Sequence, residues 1–144
     1  MIAVDTNLLV HAHRADSPWH SAAYACLEIL GEREWGIPWP CLHEFLAIVT
    51  HPRIFSPPSS VEDACKAIDG WLLAPGLRLL AEPDGYWKTL SRVLRFSKVA
   101  GPKVHDARIA ALCVSHGVSE LWSADRDFSR FPQLRIRNPL LPRK

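Results

Sequence analysis

Four acidic residues stand where a folded chain could gather them: Asp5, Glu44, Asp106 and Asp125. Asp5 closes the short apolar run Ile2-Ala3-Val4 and is followed by two small polar residues, Thr6 and Asn7. Asp125 follows a second such run, Glu120-Leu121-Trp122-Ser123. Short apolar runs of this kind read as buried parallel strands. Glu44 falls in the first turn expected of the helix after the second strand, and Asp106 in the first turn of the helix after Gly101-Pro102. In an open parallel sheet, ligands bind beyond the carboxyl ends of the strands. Strand ends and the helix starts that follow them share that edge, so the four acids can converge although none is near another in sequence. Carboxylates crowded into one cleft repel, and some take up protons unless a cation balances them. Hard oxygen donors select Mg²⁺ or Mn²⁺ over zinc. The chemistry this suggests is metal-assisted hydrolysis of a phosphodiester.

Taken one at a time, each acid also has an ordinary structural role. Glu44 and Asp106 would suit the positive end of a helix dipole. Asp5 can cap the first helix. Asp125 can serve as a turn residue in Ser123-Ala124-Asp125-Arg126-Asp127. Only their joint placement favours a site.

The elements that must position these acids follow from pattern and punctuation. Strands are expected at residues 2–4, 35–37, 77–80, 120–123 and, at one edge, 134–137. Asp16-Ser17-Pro18 reads as a helix start, with a helix from about Trp19 to Leu30 stopped by Gly31. Pro38 to Pro40 breaks the second strand, and a helix is expected from Cys41 to His51. Ser59-Ser60-Val61-Glu62-Asp63 reads as a capping box for a helix to Leu73. Pro83 and Asp84 open a helix to about Phe96, and another runs from Val104 to His116 with Gly117 as its C-cap. Strands alternating with helices predict an α/β fold: a central parallel sheet of four to five strands covered by helices on both faces.

At 144 residues the chain is expected to form one domain over 1–144, and 48% hydrophobic with 22% charged residues excludes a disordered chain. No apolar run approaches the roughly 20 residues a spanning helix needs. No basic segment precedes Ile2, so a signal peptide is not expected and a cytoplasmic location is. Cys26, Cys41, Cys65 and Cys113 include no Cys-x-x-Cys pair, and they read as buried, reduced thiols. Charge is uneven along the chain. Residues 1–72 carry 4 basic and 9 acidic side chains (4 − 9 = −5), and residues 73–144 carry 13 and 6 (13 − 6 = +7). That asymmetry hints at a nucleic-acid partner, though intermixed surface charge would explain it equally well. Arg92, Arg95, Lys98, Lys103 and His105 flank the Asp106 helix and could hold an RNA backbone, or simply form a solvated face.

With these motifs in order, the chain resembles a PIN-domain ribonuclease, specifically a VapC-type toxin of a bacterial toxin–antitoxin pair. The resemblance rests on Val4-Asp5-Thr6-Asn7-Leu8-Leu9, on Glu44 in its helix, on His105-Asp106-Ala107-Arg108-Ile109-Ala110-Ala111-Leu112 and on Ser123-Ala124-Asp125-Arg126-Asp127-Phe128. It implies a three-layer α/β/α PIN-like fold and Mg²⁺- or Mn²⁺-dependent endoribonuclease activity. It also implies a homodimer neutralised by a cognate VapB-like antitoxin. Carried over, Asp5, Glu44, Asp106 and Asp125 become the catalytic, metal-holding quartet. Thr6, Asn7 and Ser123 would orient ligands or waters from behind. Asp127 is a second acidic position of the last motif, with Asp125 favoured as the nearer to the metal.

Several competing motifs fail on their residues. His43-Glu44 begins a zinc-protease pattern, but position 47 is Ala. His11 and His13 are two apart and do not share a helical face. A haloacid-dehalogenase-type phosphatase wants a second aspartate at position 7, where Asn7 stands. A catalytically silent PIN-like RNA-binding module has little need of all four acids. Among the six tryptophans, Trp19 and Trp39 lie beside prolines and are the best candidates to touch a partner.

Overall fold

The computed structural model describes residues 1–142, the side chain of Asp127 excepted. Its centre is a five-stranded, all-parallel sheet: β1 (Ile2–Val4), β2 (Trp35–Pro38), β3 (Leu77–Leu80), β4 (Glu120–Trp122) and β5 (Ile136–Arg137), ordered β3-β2-β1-β4-β5. The helices are α1 (Thr6–His13), α2 (His20–Leu30), α3 (Trp39–Val49), α4 (Val61–Leu72), α5 (Tyr86–Ser97) and α6 (Val104–Ser115). Short 3₁₀ turns cover Gly101–Lys103 and Arg126–Arg130.

The strand order fixes where a ligand crevice can form. From β1 the chain moves through β2 to β3 in one direction, then crosses back to β4 and on to β5. Parallel crossovers are right-handed, so α1 to α4 cover one face and α5 and α6 the other. Packing of α1 on α2 and α3, and of α5 on α6, agrees with this division. The order reverses between β1 and β4, and the crevice at such a switch point is where open α/β sheets bind ligands. Val4 pairs with Trp122, and the Asp5 N–H donates to the Trp122 carbonyl at 3.0 Å. Asp5 and Ser123 therefore emerge side by side at that crevice.

The core explains why these segments hold. Trp35, Ile37, Phe45, Leu8, Leu9, Leu30 and Leu121 are fully buried between sheet and helices. The Ser60 hydroxyl accepts from the Asp63 N–H at 3.0 Å and starts α4 as its sequence predicts. Gly117, at φ 68°, ends α6 in a Schellman arrangement, its N–H on Val114 and that of Val118 on Cys113.

Four details depart from the sequence reading. Helix α3 begins at Trp39, not Cys41, because proline is tolerated in a first turn and Pro40 sits there. Helix α2 begins at His20, with Trp19 as N-cap; the Ser17 hydroxyl accepts the Trp19 N–H instead of capping the helix. Gly31 ends α2 in an ordinary right-handed conformation, so its lack of a side chain is not what stops the helix. Cys26, Cys41 and Cys113 are buried and free as expected, but Cys65 is exposed on α4.

Gly76 shows how tightly β3 joins the sheet. A Cβ there would lie 2.3 Å from the Arg33 carbonyl oxygen and 2.8 Å from its carbon, and the Gly76 carbonyl accepts the Trp35 N–H at 3.0 Å. Neither backbone can yield without opening the β2–β3 pairing. Gly76→Ala is expected to cost about 2 kcal/mol or more. Urea denaturation measures it, and a change under about 0.5 kcal/mol would contradict the clash.

Candidate active site

Asp5 is a buried carboxyl held from several sides. It is only 5% exposed, and both carboxylate oxygens are engaged. Oδ1 accepts from the Thr6 N–H at 2.8 Å, which makes Asp5 the N-cap of α1, and from the Cys41 thiol at 3.6 Å. Oδ2 accepts from the Ser123 hydroxyl at 2.8 Å and from the Asn7 amide at 3.3 Å. Burial pushes the Asp5 pKa up; bonds from Ser123, Thr6 and Cys41 oppose it, and the nearby Asp125 charge adds to the rise.

Ser123 and Asn7 tie the ends of β1 and β4 together. The Ser123 oxygen accepts the Asp125 N–H at 3.0 Å, which turns the chain beyond β4 back toward Asp5. The Asn7 side-chain oxygen accepts the Ala124 N–H at 3.1 Å. Asn7 thus works as a clamp, using donor and acceptor at once; an aspartate could not donate here.

Glu44 lies in the second turn of α3, not the first, since that helix starts two residues early. It is exposed at the rim. Its pKa is raised by partial burial, then by Asp5, and also by Asp106 and Asp125; Thr6 opposes the rise. Asp106 sits in the first turn of α6 and pairs with Lys103 at 3.8 Å. The Glu44 carboxyl therefore feels the charge of all three other acids. Among the described residues no three acidic, histidine or cysteine side chains approach closely enough to ligate one ion as they stand. Mg²⁺ commonly takes only one or two carboxylates directly and fills its shell with water and substrate oxygen. The donor set fits such a hydrated, hard cation. Thr6 adds a buried hydroxyl oxygen that lies within reach of both Glu44 and Cys41.

Sequence reasoning missed Cys41. The signal was available: it precedes Glu44 by three residues and so shares its helical face. Burial, then the Asp5 charge, raises its pKa well above the ordinary thiol value, which suits its role as a donor to Asp5. Cys113, also buried, is pushed up to about 12.

Comparison with known proteins gives the family. The PIN domain family model matches residues 2–134. Ribonuclease VapC48 of Mycobacterium tuberculosis is 36% identical over 137 residues, covering 94% of each chain. VapC ribonuclease Mb2897 of Mycobacterium bovis is 37% identical over 142 residues, covering 97% of this chain and 96% of its own. The chain belongs to the PIN domain family, among the VapC ribonucleases. The fold agrees with that of solved PIN-type toxins. VapBC2 from Rickettsia felis, bound to a promoter DNA fragment, superposes with a TM-score of 0.67 at 20% identity, covering 95% of this chain and 98% of the other. M. tuberculosis VapC20, a sarcin–ricin loop cleaving toxin, gives 0.67 at 17% identity, covering 94% and 99%.

In this PIN domain the basic residues singled out in sequence divide into two groups. Arg92 and Arg95 line an exposed groove on α5 with Lys88, Ser91 and Phe96, and none of the four acids borders it. Lys98 caps α5 in a left-handed conformation, φ 56°, and is exposed, as is His105. Lys103 instead faces the quartet through Asp106. The Asp127 side chain lies outside the described residues.

Proposed function

We propose that this chain is an endoribonuclease toxin that hydrolyses RNA phosphodiester bonds at the crevice between β1 and β4 and is neutralised by a cognate VapB-like antitoxin. One observation carries the reading. Asp5 is a buried carboxyl, bonded through both oxygens, within the field of Glu44 and Asp125 at the sheet's switch point. Burying an ionisable group against like charges opposes folding, and such strained titratable clusters concentrate at functional sites. VapC ribonucleases at 36–37% identity over nearly the whole chain support the substrate class.

Asp5, Asp106, Asp125 and Glu44 would hold Mg²⁺ or Mn²⁺, which when bound supplies counter-charge for the attacking and leaving oxygens and acidifies water. The protein does the rest. Thr6, Asn7 and Ser123 fix the Asp5 carboxylate so that it needs no reorganisation during the reaction. Glu44, at the open rim with a raised pKa, takes the proton from the attacking water. Lys103 offsets part of the acidic field beside Asp106. Arg92, Arg95, Lys98 and His105 would hold RNA phosphates further along the surface. The homodimer and the single-domain organisation over 1–144 belong to the same proposal. No helix among the described residues is long and apolar enough to cross a membrane.

A silent RNA-binding module would gain from neutral residues at these four positions, and the retained Asp5 speaks against it. The phosphatase reading loses support at Asn7, whose amide clamps β1 to β4 and leaves no second acid there.

The test is cleavage of total cellular RNA by wild type and Asp5→Ala. Wild type should cut with Mg²⁺ or Mn²⁺ and stop in EDTA, and Asp5→Ala should not cut. Persistent cleavage in EDTA, or by the variant, overturns the proposal.

A further inference from the structure

We propose that a groove beside the acidic crevice, walled by Trp39, is a stacking subsite for one unpaired base of the RNA; this rests on the RNA-cleaving reading above. The groove has a volume of about 460 Å³ and is lined by Trp39, His43, Leu80, Glu82, Arg108 and Leu112 among others. That volume lies in the range of small-ligand clefts.

Its placement follows from the fold. Pro38 ends β2 and Trp39 is the first residue of α3, so the indole stands at the carboxyl edge of the sheet. Trp39 is 41% exposed, so its indole is open to solvent over part of its surface. One turn further on, the His43 ring lies 6.0 Å from it at a tilt of 34° and braces it. Leu80 and Leu112 give an apolar floor, each 1% exposed. Arg108 stands on α6 opposite, with Glu82 at 3.6 Å. A contact of that length is too long to be a good hydrogen bond, so the guanidinium keeps N–H groups for another acceptor.

The same two helices carry two of the four acids. Glu44 directly follows His43, and Asp106 lies two residues before Arg108. The groove thus lies on α3 and α6, the helices that carry Glu44 and Asp106. An aromatic face, an apolar floor and a guanidinium at the wall match a flat ring with a polar edge. Only an unpaired base offers such a face, because a duplex covers both. Stacking also suits this position electrostatically: it draws a neutral ring toward a cluster of negative charge.

The test uses Asp5→Asn protein, expected not to cut, and a labelled short random-sequence single-stranded RNA in Mg²⁺. Adding Trp39→Ala or Trp39→Leu should weaken binding roughly 5- to 100-fold, while Trp39→Phe should keep it within about threefold. The leucine variant separates loss of the π-face from loss of bulk, and melting curves verify the fold of each. Unchanged affinity in the Ala and Leu variants overturns the subsite. So does an equal loss toward duplex RNA, or a loss confined to binding of a VapB-like antitoxin. If wild-type protein fails to cleave total RNA but the Trp39 effect persists, the cleavage reading falls and the subsite stands. If wild type cleaves and the Trp39 variants bind as tightly, only the subsite falls.

Discussion

Asp5→Asn is expected to abolish cleavage and, at the same time, to make the metal-free protein harder to melt. The loss of activity should be ~10³-fold or more in kcat/KM, about 4 kcal/mol of transition-state stabilisation. The gain in stability follows from linkage. Burial raises the Asp5 pKa in the fold above its unfolded value near 3.8. The native state then binds the proton more tightly than the unfolded chain. Stability from this group is complete below the unfolded pKa and is lost as pH rises through the folded one. At neutral pH the wild type carries that loss, and an uncharged isostere removes it. The isostere's amide NH2 takes the place of an oxygen that accepts from Ser123 and Asn7, which offsets part of the gain. A rise in Tm of about 3 °C or more at pH 7 in EDTA is the expected readout, shrinking as pH falls toward the unfolded value and the wild-type carboxyl regains its proton. Adding Mg²⁺ should raise the Tm of the wild type and leave the variant nearly unmoved. A variant less stable than wild type in EDTA would contradict this account of Asp5.

The second large effect is structural. Phe45 is fully buried on α3, directly after Glu44. Its ring meets Trp71 edge-on at 5.0 Å and His13 at 5.4 Å, joining α3 to α4 and to α1. Phe45→Ala is expected to cost about 3–5 kcal/mol, a large share of the roughly 5–15 kcal/mol that holds a typical domain together. Chemical denaturation gives the figure. Because the ring anchors the helix that carries Glu44, activity should fall even below the melting transition. A loss under about 1 kcal/mol would show that the layer between α1, α3 and α4 collapses around the vacancy.

Much of this was legible in the residues. All five strands were expected close to where they lie, because each is a short apolar run stopped by a proline, a glycine or a polar turn. The order of motifs points Asp5, Glu44, Asp106 and Asp125 toward one sheet edge. Local signals misled where two rules competed. Proline reads as a breaker, yet Pro40 sits inside the first turn of α3, and Glu44 moved from the first turn to the second. Ser17 has the chemistry of an N-cap but gives its oxygen to Trp19 one residue too early. Long-range pairings were not legible at all. Nothing in the spacing of Asn7 and Ala124, or of Cys41 and Asp5, announces their contacts, since these depend on strand order and register. Trp39 lay between: its neighbours in sequence marked it as exposed, but its groove needed β3 and α6.

The central claim is that the four acids form one divalent-cation site. Calorimetric titration of Mn²⁺ into wild type and into Asp5→Asn, Glu44→Gln, Asp106→Asn and Asp125→Asn tests it without reference to RNA. Saturable binding by wild type, weakened about tenfold or more by each substitution, is the predicted result. Binding that is equal in all five proteins, or absent from the wild type, would contradict it.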